Sequence, residues 1–221
     1  MGNWVELFDG QSLAGWSAGE SHEWGVVGGV RLAEGDPSRF QYEPGSGVLV
    51  NGERGITADI RTERDHGSCE LELEYCVPEG SNSGVYFMGQ YEIQILDSWG
   101  TPDTKLEFGT NGGIYARWVE ETQTSYDGAA PRVNASRAPG EWQQLRAIFH
   151  APRFDEDGNR VSPARFERVV LNGIVIHEEF ECTGPTRGAW VEERDIPSGP
   201  LRLQGDHGPV AFRNVRMREL D

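Results

Sequence analysis

The stretch CELELEYC, residues 69–76, sets Leu71, Leu73 and Tyr75 against Glu70, Glu72 and Glu74 in strict alternation. Successive side chains of a strand point to opposite faces, so one face of this segment packs on a core and the other meets water. That pattern is half of a two-layer antiparallel sandwich. The cysteines that bracket it, Cys69 and Cys76, are seven strand steps of ~3.3 Å apart, about 23 Å, whereas a disulfide needs Cα atoms within ~7 Å. They cannot pair along one strand. With Cys182 as the third, cysteine usage gives no support for an oxidising compartment, and free buried thiols are expected.

The rest of the chain agrees. Glycine (29) and proline (12) recur between short alternating runs, which punctuates a sandwich or barrel and not βαβ units. Strand candidates are VELFDG near the start, SGVLVN, GITADIRT, GVYFMG, YEIQILD, GGIYARW, EWQQLRAIFH, ARFERVVLNGIVIHEE, PLRLQG and VAFRNVRMREL. In RVVLNGIVIHEE, Asn172-Gly173 separates two β-branched runs, which predicts a hairpin with a type I′ turn because both central positions need positive φ. FDEDGNR, residues 154–160, reads as an acidic turn; position 166 is Phe where a calcium loop would need Glu. No repeat, linker or composition shift divides the chain, so residues 1–221 are read as a single domain.

Twenty basic residues against 36 acidic ones give a formal charge of −16, which repels phosphate backbones and anionic lipid. Nucleic acid and membrane surfaces are poor partners, and a neutral ligand is the natural one. No apolar run approaches the ~20 residues of a membrane span. The first residues carry no signal pattern, so the expected location is periplasmic or secreted if an export signal has been removed, and otherwise cytoplasmic.

YEIQILD, residues 91–97, carries polarity where a strand face should be quiet. Alternation puts Glu92 and Gln94 on one face and Asp97 on the other, unless a β-bulge after Gln94 restores the phase. The row resembles the Glu-x-Asp-x-x-Glu of jelly-roll laminarinases with Gln in the centre and Asp at the end. Retaining hydrolysis needs two carboxyls ~5–5.5 Å apart and inversion ~6.5–9.5 Å, and this row makes both harder. Three polar groups beside two isoleucines point to a ligand-facing surface; the alternative is a solvated outer face. Upstream, Asn82 and Ser83 precede a strand, where they either close a turn or reach a ligand. Downstream, Gln204, Asp206, His207, Arg213 and Asn214 fall within eleven residues, and a histidine beside a carboxylate can carry protons near neutral pH.

LFDGQSLAGW (7–16), SNSGVYFMGQYEIQILDSWG (81–100), GGIY (112–115), VNASRAPGEWQ (133–143) and LQGDHGPVAFRNVRMREL (203–220) occur in this order. Together they resemble the bacterial 3-keto-disaccharide hydrolase-like domain. The resemblance implies an all-β, concanavalin A-like jelly-roll β-sandwich of two antiparallel sheets, one of them forming a ligand groove. It also implies a small-molecule carbohydrate substrate, a glycoside already oxidised at C3. A ketone there acidifies the C2 hydrogen; a base removes it, the C1 oxygen departs by β-elimination, and water adds back. Two close carboxylates are then not compulsory. Carried onto matching positions, the resemblance implies Glu92, Asp97 and His207 as proton-transfer groups, Arg213 or Asn82 as enolate stabilisers, and Tyr86, Gln94 and Gln204 as hydroxyl binders. A divalent cation held by Asp97 or Glu92 is an alternative to the arginine. Two departures stand out: Met88 where many relatives have Arg, and Gly205 inserted in LQGDHG. The competing function is a noncatalytic carbohydrate-binding module on the same sandwich. The loops at 98–111 and 120–140 are expected to set substrate preference.

Overall fold

The computed structural model describes residues 2–189 and 194–220. Among these the regular secondary structure is all strand apart from one short 3-10 turn at Asp103–Lys105. An eight-stranded antiparallel sheet runs Ile174–Cys182, Ala164–Leu171, Gln143–His150, Cys69–Cys76, Ala211–Glu219, Asp36–Val50, Gly25–Ala33, with Val5–Glu6 pairing onto Ala211–Glu219. A five-stranded antiparallel sheet runs Trp16–Ala18, Ile60–His66, Gly199–Leu203, Asn82–Phe87, Tyr91–Leu96. The fold is a jelly-roll sandwich of these two sheets.

Period-two alternation fixes which residues meet between the sheets. Leu71, Leu73 and Tyr75 face Val85, Phe87, Tyr91, Ile93 and Ile95 in one buried core. At its centre Phe87 of the smaller sheet packs on Phe149 and Phe166 of the larger at 5.1 and 5.2 Å between centroids. Such aromatic contacts add to the area they bury and lock the sheets in register. All three cysteines are free and buried. Asn172 and Gly173 both adopt positive φ and join Leu171 to Ile174, which is the hairpin expected of Asn-Gly.

The glutamate face of Cys69–Cys76 departs from expectation, because it is not simply wetted. Glu70 is 1% exposed and clasped by Arg146 and Arg218, the latter through Nε at 2.6 Å. Glu72 pairs with Arg216 and Glu74 with Arg213. The neighbouring strands supply arginines at the matching register, so the outer face becomes a cross-strand ladder of opposite charges. A second departure is the long hairpin Gly25–Ala33 and Asp36–Val50, of which only SGVLVN was expected as strand. The acidic turn behaves as a turn: Asp155 Oδ1 accepts from the backbone of Asp157 and Asn159.

Candidate active site

Because Tyr91, Ile93 and Ile95 point into the core, Glu92 and Gln94 must point to the outer face of the five-stranded sheet. The neighbouring strand obeys the same rule, with Val85 and Phe87 inward and Asn82, Gly84 and Tyr86 outward. Cross-strand pairing then sets rows: Tyr86 opposite Glu92, Gly84 opposite Gln94, Asn82 opposite Leu96. On the other flank Arg202 stands opposite Tyr86, and the Gln204 backbone donates to Gly84 O at 2.9 Å. These rows floor a cleft of about 320 Å³ lined by Asn82, Tyr86, Glu92, Gln94, Gln204 and His207, with Tyr115, Arg187 and Gly188 over them. Small-molecule sites occupy ~300–1,000 Å³.

The walls come from segments that cover the free edge of Tyr91–Leu96. Gly112 N and Gln94 N exchange bonds with Gln94 O and Gly113 O at 2.8 Å, and Tyr115 N donates to Glu92 O at 3.0 Å. Thr186 N donates to Gln90 O, its hydroxyl accepts from Glu92 N at 3.2 Å, and Arg187 N donates to Ala116 O. The edge strand is thus sealed and the cleft acquires a roof.

One end of the cleft is dry. Glu92 is 3% exposed, and burial pushes its pKa up to about 8; the Tyr86 hydroxyl and Arg202 pull against this, while Asp59 and Asp206 reinforce it. The Tyr86 phenol is pushed far up by burial and by Glu92. Turned with its nitrogen inward, the Gln94 amide donates to Glu92 Oε1 (3.2 Å) and Ser83 O (3.0 Å). The Arg202 guanidinium lies 3.7 Å from the Tyr86 ring centroid, pairs with Asp59 at 3.3 Å and donates to Gly188 O at 2.7 Å. Asp59 is itself raised, chiefly by burial. The other end is wet: His207 is exposed there, its Nδ1 bonded to Asp206 Oδ1.

The turn that presents His207 is held from beneath. The wholly buried Asn51 donates to Gly205 O (3.0 Å) and Gly208 O (2.8 Å) and accepts from Val210 N (2.8 Å). The inserted Gly205 fits against Thr57 and Ala58, where a Cβ would come within 2.6 Å of Ala58 O. Gln204 and His207 therefore both reach the cleft despite the insertion. Met88, in place of an expected arginine, is buried in the core; the cation that lines the cleft is Arg187, with Arg202 stacked behind the Tyr86 ring.

Two sequence expectations are corrected. Asp97 does not reach the cleft: pairing from Asn82–Leu96 to Phe87–Tyr91 is continuous, so no bulge restores the phase. Its carboxylate braces the following turn, accepting from Gly80 N (3.0 Å) and Trp99 N (3.2 Å). Arg213 lies on the outer face of the other sheet, paired with Glu74 and stacked on Trp142 at 4.0 Å. Glu92 and Asp97 lie on opposite sides of their strand, and among the described residues no three His, Cys, Asp or Glu side chains converge as a metal site. The loops 98–111 and 120–140 contribute no lining residue. Arg202, Asp59, Tyr115 and Arg187 were not singled out in the sequence. Alternation in PLRLQG puts Arg202 on the face of Gln204, and GGIY contains Tyr115; Asp59 and Arg187 carry no local signal.

The 3-keto-alpha-glucoside-1,2-lyase-like domain family model matches residues 3–218. A Bacteroides thetaiotaomicron protein named 3-keto-disaccharide hydrolase is 22% identical, over 99% of this chain and 79% of its own length. A crystal structure of a Parabacteroides distasonis protein provisionally named a glycosyl hydrolase is 28% identical, with a TM-score of 0.68 over 98% of this chain and 84% of that one. A second from the same organism, at 21% identity and TM-score 0.62, covers 99% of this chain and 100% of that one and shares the fold.

Proposed function

The chain belongs to the 3-keto-alpha-glucoside-1,2-lyase-like domain family, and on that footing we propose that it cleaves the glycosidic bond of a 3-keto-glycoside in the cleft between Glu92 and His207. The observation that carries this reading is the pairing of a buried carboxyl, Glu92, at one end with a carboxylate-bonded imidazole, His207, at the other.

The Tyr86–Glu92 row and the Asn82–Leu96 row are four residues apart along their strands, ~13 Å. That span takes one sugar ring with a hydrogen bond at each end. With the C3 oxygen at the dry end, Tyr86 and the neutral Glu92 both donate to it, a carboxylic acid kept protonated at pH 7 so that it can do so. Arg187 adds positive field from above. The Asp206 carboxylate beside Nδ1 favours the tautomer with its proton there, which leaves His207 Nε2 to serve as the base.

Nε2 takes the C2 proton while Glu92 gives its proton to the C3 oxygen, forming the enol. The C1–O bond then breaks: the enol O–H returns its proton to Glu92, the ketone reforms, C1=C2 forms, and the imidazolium protonates the departing oxygen. C1 and C2 are adjacent, so one imidazole serves both. Water adding OH at C1 and H at C2 completes net hydrolysis; release before that step is a lyase outcome. The amides of Asn82, Gln94 and Gln204 hold ring hydroxyls. No oxocarbenium ion is needed, so a second carboxylate near Glu92 is not needed either.

The competing reading, a sugar-binding module, has no use for a carboxyl kept neutral by burial. Incubation with a 3-keto-disaccharide and with its unoxidised parent separates the two. The proposal expects free sugar or a 2-hydroxyglycal from the ketone alone; retention of both sugars without turnover would support the binder.

A further inference from the structure

We propose that the His207 end of the cleft continues into a leaving-group subsite whose floor is Trp99 and whose partner is the sugar ring attached at C1. This rests on the reading above, because placing the C3 oxygen against Glu92 and the C2 proton against His207 sends C1 and its substituent outward past Asn82.

What lies there is unusual for a soluble domain. Trp99 is 60% exposed and Ile56 58% exposed, although tryptophan is among the most buried residue types on average. Neither lines the inner cleft, but chain connections bring both close to its His207 end. Leu96 stands opposite Asn82, and Trp99 is three residues further on, hence within ~11 Å of Leu96 along the chain. Ile56 follows Gly55, whose carbonyl accepts from Gly208 N at 3.0 Å, and Gly208 follows His207. Gly208 in turn packs on Asn82, where a Cβ would come within 3.0 Å of its nitrogen.

Trp99 is presented, not merely left outside. Its backbone N–H is fixed by Asp97 Oδ1 at 3.2 Å, and Asn134 Nδ2 donates to Ser98 O (2.7 Å) and Thr101 O (2.9 Å) on either side of it. The Ser98 hydroxyl accepts from Asn111 N at 3.0 Å. Braced backbone around an exposed indole is what a sugar platform requires, since the flat ring takes the apolar face of a pyranose while hydroxyls stay in water. Asp97 then acts through Trp99 as a positioning residue, and the 98–111 loop regains a part in substrate preference although it lines no part of the inner cleft.

The test compares a 3-keto-disaccharide with the 3-keto methyl glycoside, which lacks the second ring. In the Trp99→Ala variant the ratio of kcat/KM for disaccharide over methyl glycoside should fall at least fivefold, through KM, and Asp97→Ala should move it the same way. A ratio that stays as in the wild type, or both substrates falling together, overturns the subsite. Binding provides a readout independent of turnover. In the Glu92→Gln background the disaccharide should quench indole fluorescence, and further Trp99→Ala should remove that quench and weaken binding. Wild-type protein that binds the disaccharide without cleaving it defeats the catalytic reading alone. Binding untouched by Trp99→Ala, or no binding at all, defeats the subsite.

Discussion

A Cβ built on Gly84 would lie 2.2 Å from Glu92 Oε1 and 3.0 Å from its Cδ, so the carboxyl of Glu92 occupies the volume of the side chain that Gly84 lacks. Gly84 has ordinary strand geometry, and its absence from the positive-φ residues rules out a backbone reason for the glycine. It is there for space. Gly84→Ala must displace Glu92 or strain the strand, at about 1–3 kcal/mol for such overpacking. Turnover should fall far more than stability, by roughly a hundredfold for a catalytic group shifted ~1 Å. Kinetics beside thermal denaturation check this; full activity in a folded Gly84→Ala protein would show that Glu92 has room to spare.

Glu92 keeps its proton in the fold up to about 8 but loses it near 4.5 in the unfolded chain. Within that window the native state binds a proton that the unfolded state has released, so stability falls as pH rises through it. Above about 8 the C3 oxygen loses its proton donor, and turnover should fall on the alkaline side. Glu92→Gln removes both dependences. Its turnover should drop at least about tenfold, ~1.4 kcal/mol of barrier, while its melting temperature gains on wild type progressively from pH 5 to 8. Superimposable stability curves for the two proteins would mean that no buried proton sits there.

His66 and His177 carry the opposite sign. Burial pushes both down to about 4, with His66 Nε2 accepting from Met88 N at 3.2 Å and His177 Nε2 donating to Gly112 O at 2.8 Å. As pH drops below the ordinary value of 6.5 the unfolded chain takes up these protons first. The stability is fully present above that value and is lost as pH falls toward about 4. Because Glu92 contributes a slope of the opposite sign over the same range, the test is a difference: between pH 6.5 and 4.5, His177→Gln should make the urea midpoint less sensitive to acid than wild type by up to one proton's worth, ~1.4 kcal/mol per pH unit. An unchanged slope would show that His177 is not buried neutral.

Arg213 pairs with Glu74 on the face away from the cleft, and its side chain is 37% exposed. Arg213→Ala should therefore cost about 1 kcal/mol or less of stability, as partly exposed pairs do, and leave kcat/KM within about twofold. A large kinetic loss with stability intact would return Arg213 to the chemistry.

The sandwich was legible because a strand buried on one side must alternate, as CELELEYC and YEIQILD do, and because Asn-Gly between the β-branched runs of RVVLNGIVIHEE marks a hairpin. The hairpin of Gly25–Ala33 and Asp36–Val50 was largely hidden: register shifts after Val27 and Leu32 break its alternation, and few of its positions are buried. For the site, Glu92 and Gln94 follow from parity in the sequence, while Asn82 and Tyr86 came from the family resemblance and the structure puts them on the same outer face. Asp97 fails by that same parity, since only a bulge would have turned it inward. Arg213 fails because sequence proximity to His207 cannot show that the chain passes from one sheet to the other between them. Arg187 reaches the cleft from a segment with no periodicity, and Asp59, although it lies in the strand candidate GITADIRT, acts on the site only as the partner of Arg202, so the folded chain alone reveals both roles.

Removal of the C2 proton from a 3-keto sugar is the decisive step, and hydrogen exchange at that carbon tests it most directly. Cleavage of a 3-keto-disaccharide in D2O, followed by NMR against an enzyme-free control, should give a released 3-keto sugar carrying deuterium at C2, with the unoxidised disaccharide left intact. Cleavage that leaves C2 fully protonated, or equal cleavage of the unoxidised sugar, would contradict the elimination chemistry and point to direct displacement at C1.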